Sequence, residues 1–196
     1  IRFVAFAMVP IFIVMINSLY VKDKDEYGKF SNIYTGLLYI AVPIALSNLI
    51  AFDKAGNFSG NLLLCFFIII WCSDVGAFAF GISLGKIFPQ KLFPSVSPKK
   101  TWIGFIGGLV SSVLAAFALY EFGILKFPLI HCLILSFIMS VTGVYGDLFE
   151  SQWKRVYGVK DSGKIIPGHG GFLDRFDSTL MAMPFGAIYL AIFDLL

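Results

Sequence analysis

The sequence predicts an all-α fold, a polytopic transmembrane helix bundle, and three observations carry that prediction. The 196 residues are 58% hydrophobic and only 14% charged, against about 45–50% apolar and about 25% charged for soluble domains. Mean hydropathy is +0.86. Apolar runs of about 20 residues, the length that crosses a ~30 Å hydrocarbon layer as helix, recur along the chain. They predict about six spans, at 3–20, 33–52, 62–80, 102–120, 129–149 and 178–192, in a single membrane domain covering 1–196.

The first span, 3–20, is interrupted by Pro10, which a membrane helix tolerates when neighbours satisfy the freed carbonyl. It follows Ile1 directly, without the basic n-region and cleavage site of a signal peptide, so N-terminal spans are expected to be missing. Lys22, Asp23, Lys24, Asp25, Glu26 and Lys29 then read as a solvated mixed-charge connector. The second span, 33–52, contains Gly36 and Pro43. The third, 62–80, carries Ser73 and Asp74. A carboxylate within a span is costly in lipid and should face the bundle interior; a functional acid and a counter-ion for a lysine both explain it.

The loop from Gly81 to Thr101 holds Lys86, Lys91, Lys99 and Lys100. Gly81 to Lys86 lacks the glycine spacing and following hydroxyl of a phosphate-binding P-loop. Ser97-Pro-Lys-Lys-Thr101 places two lysines and two hydroxyls where a span begins, as a headgroup anchor or as a phosphate site. The fourth span, 102–120, is rich in Gly, Ser and Ala, which suits close helix packing. His131, near the start of the fifth span, reads as structural. Along that span, 129–149, Ser136, Ser140, Gly143 and Asp147 share one face, and Glu150, Ser151 and Lys154 extend it if the helix continues. The sixth span, 178–192, begins just after Asp177.

Twelve of the fifteen Lys and Arg residues fall in the segments 21–32, 81–101 and 149–177, which six spans place on one side; Arg2, Lys54 and Lys126 fall on the other. The positive-inside rule makes the basic side cytoplasmic. Nucleic-acid binding is not expected, because the net charge is only +3 and the basic residues form no stripe. Cys65, Cys72 and Cys132 all sit in apolar runs and read as packing residues.

The polar segment 147–177 is where chemistry concentrates. Asp147, Asp174 and Asp177, with Asp74 on the same side, supply oxygen ligands suited to Mg²⁺, which shares its coordination between carboxylates and substrate phosphates. Lys154, Arg155, Lys160, Lys164 and Arg175 supply cations for phosphate. Gly168, Gly170 and Gly171 offer backbone N–H groups for an anion nest. Mutual pairing of these charges in a solvated loop is the alternative.

Ser151-x-x-Lys154-Arg155, then Lys160-Asp161, then Pro167-x-His169-Gly170-Gly171-x-x-Asp174-Arg175-x-Asp177 closely resembles the signature of the phosphatidate cytidylyltransferase (CDP-diacylglycerol synthase) family. Ser97-Pro-Lys-Lys-Thr101 with Trp102 and Gly104, and the Asp74 segment, resemble two further blocks, so the similarity covers roughly Trp71 to Asp177. Two positions depart from the pattern: Ile103 stands where an acid is usual, and Trp153 where an aliphatic residue is usual.

The resemblance implies transfer of the cytidylyl group of CTP to phosphatidic acid, giving CDP-diacylglycerol and pyrophosphate. It implies Asp147 and Asp174 as the first Mg²⁺ ligands, then Asp177 and Asp74, with room for a second cation. Lys154 and Arg175 join the acids in catalysis. Ser97, Lys99, Lys100, Thr101, Ser151, Arg155, Lys160 and Asp161 bind substrate, and His169, Gly170 and Gly171 shape the glycine loop. A homodimer among membrane lipids, in a bacterial inner membrane with the active site facing the cytoplasm, is also implied. The alternatives are a relative acting on another lipid phosphate or lipid alcohol, and a cation transporter built around Asp74 and Asp147.

Overall fold

The computed structural model describes residues 13, 15–17, 24–52, 56–165 and 170–196. The expected first span lies outside the described residues apart from 13 and 15–17, which are helical. From Lys24 the order is helix α1 (Lys24–Gly36), a π-helical turn (Leu37–Ala41), α2 (Val42–Ala51) and α3 (Asn61–Leu84). A hairpin of β1 (Lys91–Phe93) and β2 (Ser97–Thr101) follows, then α4 (Trp102–Glu121), α5 (Leu129–Val156), a 3₁₀ turn (Leu173–Arg175) and α6 (Asp177–Ile192).

Among the described residues four stretches are long and apolar enough to cross a membrane: Phe30–Ala51, Asn61–Leu84, Trp102–Glu121 and Leu129–Val156. The chain is therefore an integral membrane protein of the all-α class. The sixth expected span is the shorter apolar helix α6. The segment expected as a charged connector is helical from Lys24 onward, since Lys, Glu and Tyr tolerate helix and only Gly28 opposes it. The π turn lies directly before Pro43, whose ring cannot fit against the carbonyl four residues earlier; the wider turn absorbs that mismatch.

Helix α4 packs along α3, and α6 along α5. The α3–α4 contact is backbone-close because its residues are small. A Cβ on Gly108 would lie 2.9 Å from the Ser73 carbonyl, and one on Gly104 2.9 Å from that of Ala77. Phe66, Ile69 and Ile70 of α3 meet Leu135 and Met139 of α5 and Met183 and Leu190 of α6 in the core. Also buried between α3 and α5, the Ser73 and Ser140 hydroxyls lie 2.6 Å apart. Leu64 and Val75 of α3 and Leu114 of α4 are exposed. Helices apolar on both faces need an apolar solvent, which the bilayer supplies.

Two features position the polar end. With 28 residues, α5 is about 42 Å long at 1.5 Å per residue. It exceeds the ~30 Å hydrocarbon layer, so its last turns stand at or beyond the membrane boundary. The hairpin occupies part of the segment expected as a plain loop. Its turn, Phe93-Pro-Ser-Val96, closes with the Val96 N–H donating to the Phe93 carbonyl at 3.3 Å, and Pro94 presets the backbone there. Thr101 ends β2 and caps α4, its hydroxyl accepting from the Gly104 N–H at 3.2 Å; this meets one of the donors left open at a helix start.

Candidate active site

Antiparallel pairing of Lys91 with Thr101 and of Phe93 with Ser97 fixes the lysine-bearing strand at the polar end of the bundle. Lys100 Nζ there meets Asp147 Oδ2 of α5 at 2.5 Å. The other Asp147 oxygen, Oδ1, accepts from the Ser151 hydroxyl at 3.2 Å, one helical turn on. Lys100 and Asp147 border a cleft of about 410 Å³ between α3, α4, α5 and the hairpin. Asp74, Lys99, Lys100, Thr101 and Asp147 line its polar part, and Phe78, Ile82, Leu92 and Phe105 its apolar part. Ile103 is partly buried in the first turn of α4 and does not line the cleft.

Asp74 is brought to the same place from within α3. Its Oδ1 lies 3.4 Å from the Ser178 hydroxyl, and the Ser178 N–H donates to Asp177 Oδ1 at 2.7 Å. Asp74, Asp147 and Asp177 are electrostatic neighbours. Close helix approach makes this possible: a Cβ on Gly146 would lie 2.5 Å from the Asp177 carbonyl. Tyr39 locks the junction by donating to that carbonyl at 3.0 Å. Its ring packs against Phe149 and Trp153, with centroids 5.0 and 6.4 Å away. Trp153, the apolar departure, thus belongs to the aromatic wall around Tyr39.

Asp174 lies in the 3₁₀ turn, and the loop is folded around it. Its Oδ1 accepts from Lys154 Nζ at 2.7 Å. Its Oδ2 accepts from the N–H and hydroxyl of Ser162, at 2.8 and 2.9 Å, and from the Gly171 N–H at 2.7 Å. Gly171, one of the three glycines expected to offer N–H groups to a foreign anion, here gives its N–H to the chain's own carboxylate. Gly170 has φ +84°, and a Cβ on it would lie 2.7 Å from Asp174 Oδ2, so a side chain is disfavoured both by the left-handed backbone and by the space. Burial alone would raise the Asp174 pKa; the Lys154 ammonium and the donors of Gly171 and Ser162 outweigh it and hold the carboxyl well below the usual carboxylate range.

Lys154 also faces Glu150, 3.5 Å from Oε1. Arg155, Lys160, Asp161 and Arg175 are exposed around the loop, and Arg155 donates to the Val159 carbonyl at 3.4 Å. His169 and Gly168 lie outside the described residues. Two groupings result: Asp74, Asp147 and Asp177 with Lys99, Lys100 and Thr101, and Asp174 with Lys154, Ser162, Gly170 and Gly171. Asp147 and Asp174 each carry their own lysine. Glu150, Tyr39, Ser162 and Ser178 were not among the expected site residues; only Glu150 had a signal, at i+3 from Asp147 and i−4 from Lys154 on one helix.

Among the described residues no three His, Cys, Asp or Glu side chains are grouped so as to hold a metal ion as they stand. The donor chemistry nevertheless fits a hard cation. All the candidate ligands are carboxylate oxygens, and the ammonium groups of Lys100 and Lys154 stand against two of them as counter-cations. All three cysteines are free, and Cys65 and Cys132 are buried in the core.

The sequence profile of the cytidylyltransferase family matches residues 2–193. A Bacillus subtilis (strain 168) protein named phosphatidate cytidylyltransferase is 41% identical over 182 residues, covering 92% of this chain and 63% of its own length. Proteins of the same name from Staphylococcus saprophyticus and Staphylococcus aureus (strain COL) are 45% and 46% identical over 124 residues, 63% of this chain and 46% of theirs. The chain thus spans about half to two thirds of the length of these relatives.

Proposed function

The chain belongs to the cytidylyltransferase family, and from that premise we propose that it transfers the cytidylyl group of CTP to phosphatidic acid. A phosphate oxygen of the lipid attacks the α-phosphorus of CTP. The bond from that phosphorus to the oxygen bridging to the β-phosphate breaks, and pyrophosphate leaves with the electron pair. One observation above all supports this reading: the Lys100–Asp147 ion pair joins the Ser97–Thr101 strand to the end of α5 beside a cleft that is charged in one part and apolar in another. A phospholipid has the same division, a phosphate next to acyl chains.

In this reading Lys99, Lys100 and Thr101 hold the lipid phosphate at the charged end, and Phe78, Ile82 and Phe105 receive the adjoining chain. Lys154, Arg155, Lys160 and Arg175 face the triphosphate, the arginines able to bind bidentately; Ser151 steadies Asp147. Asp147, Asp174, Asp177 and Asp74 would hold Mg²⁺, with a second cation drawing on the same set. Bound there, Mg²⁺ would neutralise charge developing on the phosphates. Lys100, already poised at Asp147, can turn to substrate oxygens once that acid is otherwise neutralised.

The reading includes a bacterial inner-membrane location, with the 147–177 segment on the cytoplasmic side where CTP resides, and a homodimer. Crosslinking in lipid nanodiscs tests the dimer. Substrate is tested by supplying phosphatidic acid, another lipid phosphate and diacylglycerol separately, with CTP and Mg²⁺. CDP-lipid formed with phosphatidic acid at a rate at least tenfold above the other acceptors is the expected outcome. Equal or faster use of another acceptor would reassign the substrate.

A further inference from the structure

Glu150 is the least accessible acid among the described residues, 1% exposed; as a carboxylate it receives no donor at either oxygen, and only a protonated Asp177 carboxyl, which lies against it, would supply one. The flanking acids are placed differently. Asp147 is bonded to Lys100 and Ser151, and Asp174 accepts from four donors. Among the described residues the charged groups acting on Glu150 are Asp177, Lys154 and Asp174. Lys154 is the one cation among them, and its ammonium sits 2.7 Å from Asp174 but 3.5 Å from Glu150. The second distance is an ion-pair approach outside the usual 2.7–3.2 Å range of an N–H···O bond.

A buried acceptor left without a donor is costly. Here the missing donor lies less than an ångström out of range, held away by a competing carboxylate. Glu150 and Lys154 occupy positions i and i+4 of α5, where side chains meet across one turn. A rotation of the flexible lysine stem is enough to move the ammonium from one acid to the other.

We propose that Glu150 is a positioning residue that receives the Lys154 ammonium when Asp174 takes up a divalent cation, an inference that rests on the assignment of Asp174 as a cation ligand above. Without this seat, cation binding at Asp174 would leave a partly buried ammonium unpaired beside a new positive charge. With it, the displaced lysine stays within the site, next to the phosphates, and Glu150 gains the hydrogen bond it lacks.

The test is Mn²⁺ binding to the detergent-solubilised protein without nucleotide, followed by electron paramagnetic resonance in Glu150→Gln, Lys154→Gln and the double variant. E150Q should weaken Mn²⁺ binding at least tenfold. K154Q should alter affinity less than about threefold when Glu150 is present and raise it tenfold or more in the E150Q background, a coupling that a double-mutant cycle isolates. Loss of a negative charge acting only at a distance would make the effect of K154Q equal in both backgrounds, and that equality would overturn the proposal. Unchanged binding in E150Q would overturn it too. If the unaltered protein makes CDP-lipid yet binds no Mn²⁺, this inference and the metal assignment fail while the transfer reading stands; absence of CDP-lipid together with the expected Mn²⁺ coupling would instead refute the transfer reading and support the role of Glu150.

Discussion

Asp174 organises the loop at the level of single side chains, because one carboxylate collects Lys154, Ser162 and Gly171. Its folded pKa lies below the unfolded value of about 3.9. It therefore contributes stability that is fully present above that value and is lost as pH falls through the lower folded pKa. Amide hydrogen exchange should accordingly show Ser162 and Gly171 protected down to about pH 4, and Asp174→Asn should abolish that protection at every pH; protection persisting in the variant would remove Asp174 from this role. Arg175 and Lys154 separate binding from structure. Arg175 is exposed, so Arg175→Ala should cost under about 0.5 kcal/mol of stability while reducing kcat/KM for CTP by tenfold or more. Lys154→Ala should both slow turnover and loosen the loop, visible as faster proteolysis at 157–165. The signature acids and bases were legible because their spacing is distinctive. Glu150 was legible only as a position on the helix face of Asp147 and Lys154, and Tyr39 not at all, since its part depends on which neighbour comes close across the bundle, and spacing along one chain does not contain that.

At the scale of elements, the site is held by the α3–α4 pair and by the hairpin that precedes α4. Gly108→Ala would place a methyl group 2.9 Å from the Ser73 carbonyl; overpacking of this kind costs about 1–3 kcal/mol. The thermal midpoint in detergent should fall by several degrees, and Ala116→Gly, farther along α4, should not reproduce the loss of cleft geometry read by Lys100–Asp147 crosslinking with a short amine–carboxyl reagent. The small residues announced close packing in the sequence, and α4 packs on α3 through them. The hairpin was not visible there: Lys-Leu-Phe and Ser-Pro-Lys-Lys-Thr lack both the alternation and the β-branched content that mark strands. The pairing is held by a Pro94 turn and by the Trp102 N–H donating to the Gln90 carbonyl at 3.1 Å. The length of α5 was underestimated for a related reason. Hydropathy fades after Asp147, yet nothing in Leu-Phe-Glu-Ser-Gln-Trp-Lys-Arg breaks a helix, and it continues to Val156.

For the whole molecule, the apolar spans, the basic loops and the three blocks of family resemblance combine into the proposed function: a bundle that would bring a nucleotide from the aqueous side to a phosphate at the membrane boundary. A Cys at Ser162 in a background without Cys65, Cys72 and Cys132 should be labelled by an impermeant thiol reagent only when the cytoplasmic face is accessible; labelling from the outer face alone would invert the topology. Replacing Asp147 with Asn keeps the side-chain size and removes its charge, so turnover should collapse at all Mg²⁺ concentrations with the folded fraction little changed. The chemistry itself is decided by following two labels. Supplied with phosphatidic acid and Mg²⁺, the protein should place the α-phosphate of CTP in the lipid and release the β- and γ-phosphates as one equivalent of pyrophosphate. A lipid carrying the γ-phosphate instead, or CTP consumed with no label in lipid, would contradict cytidylyl transfer.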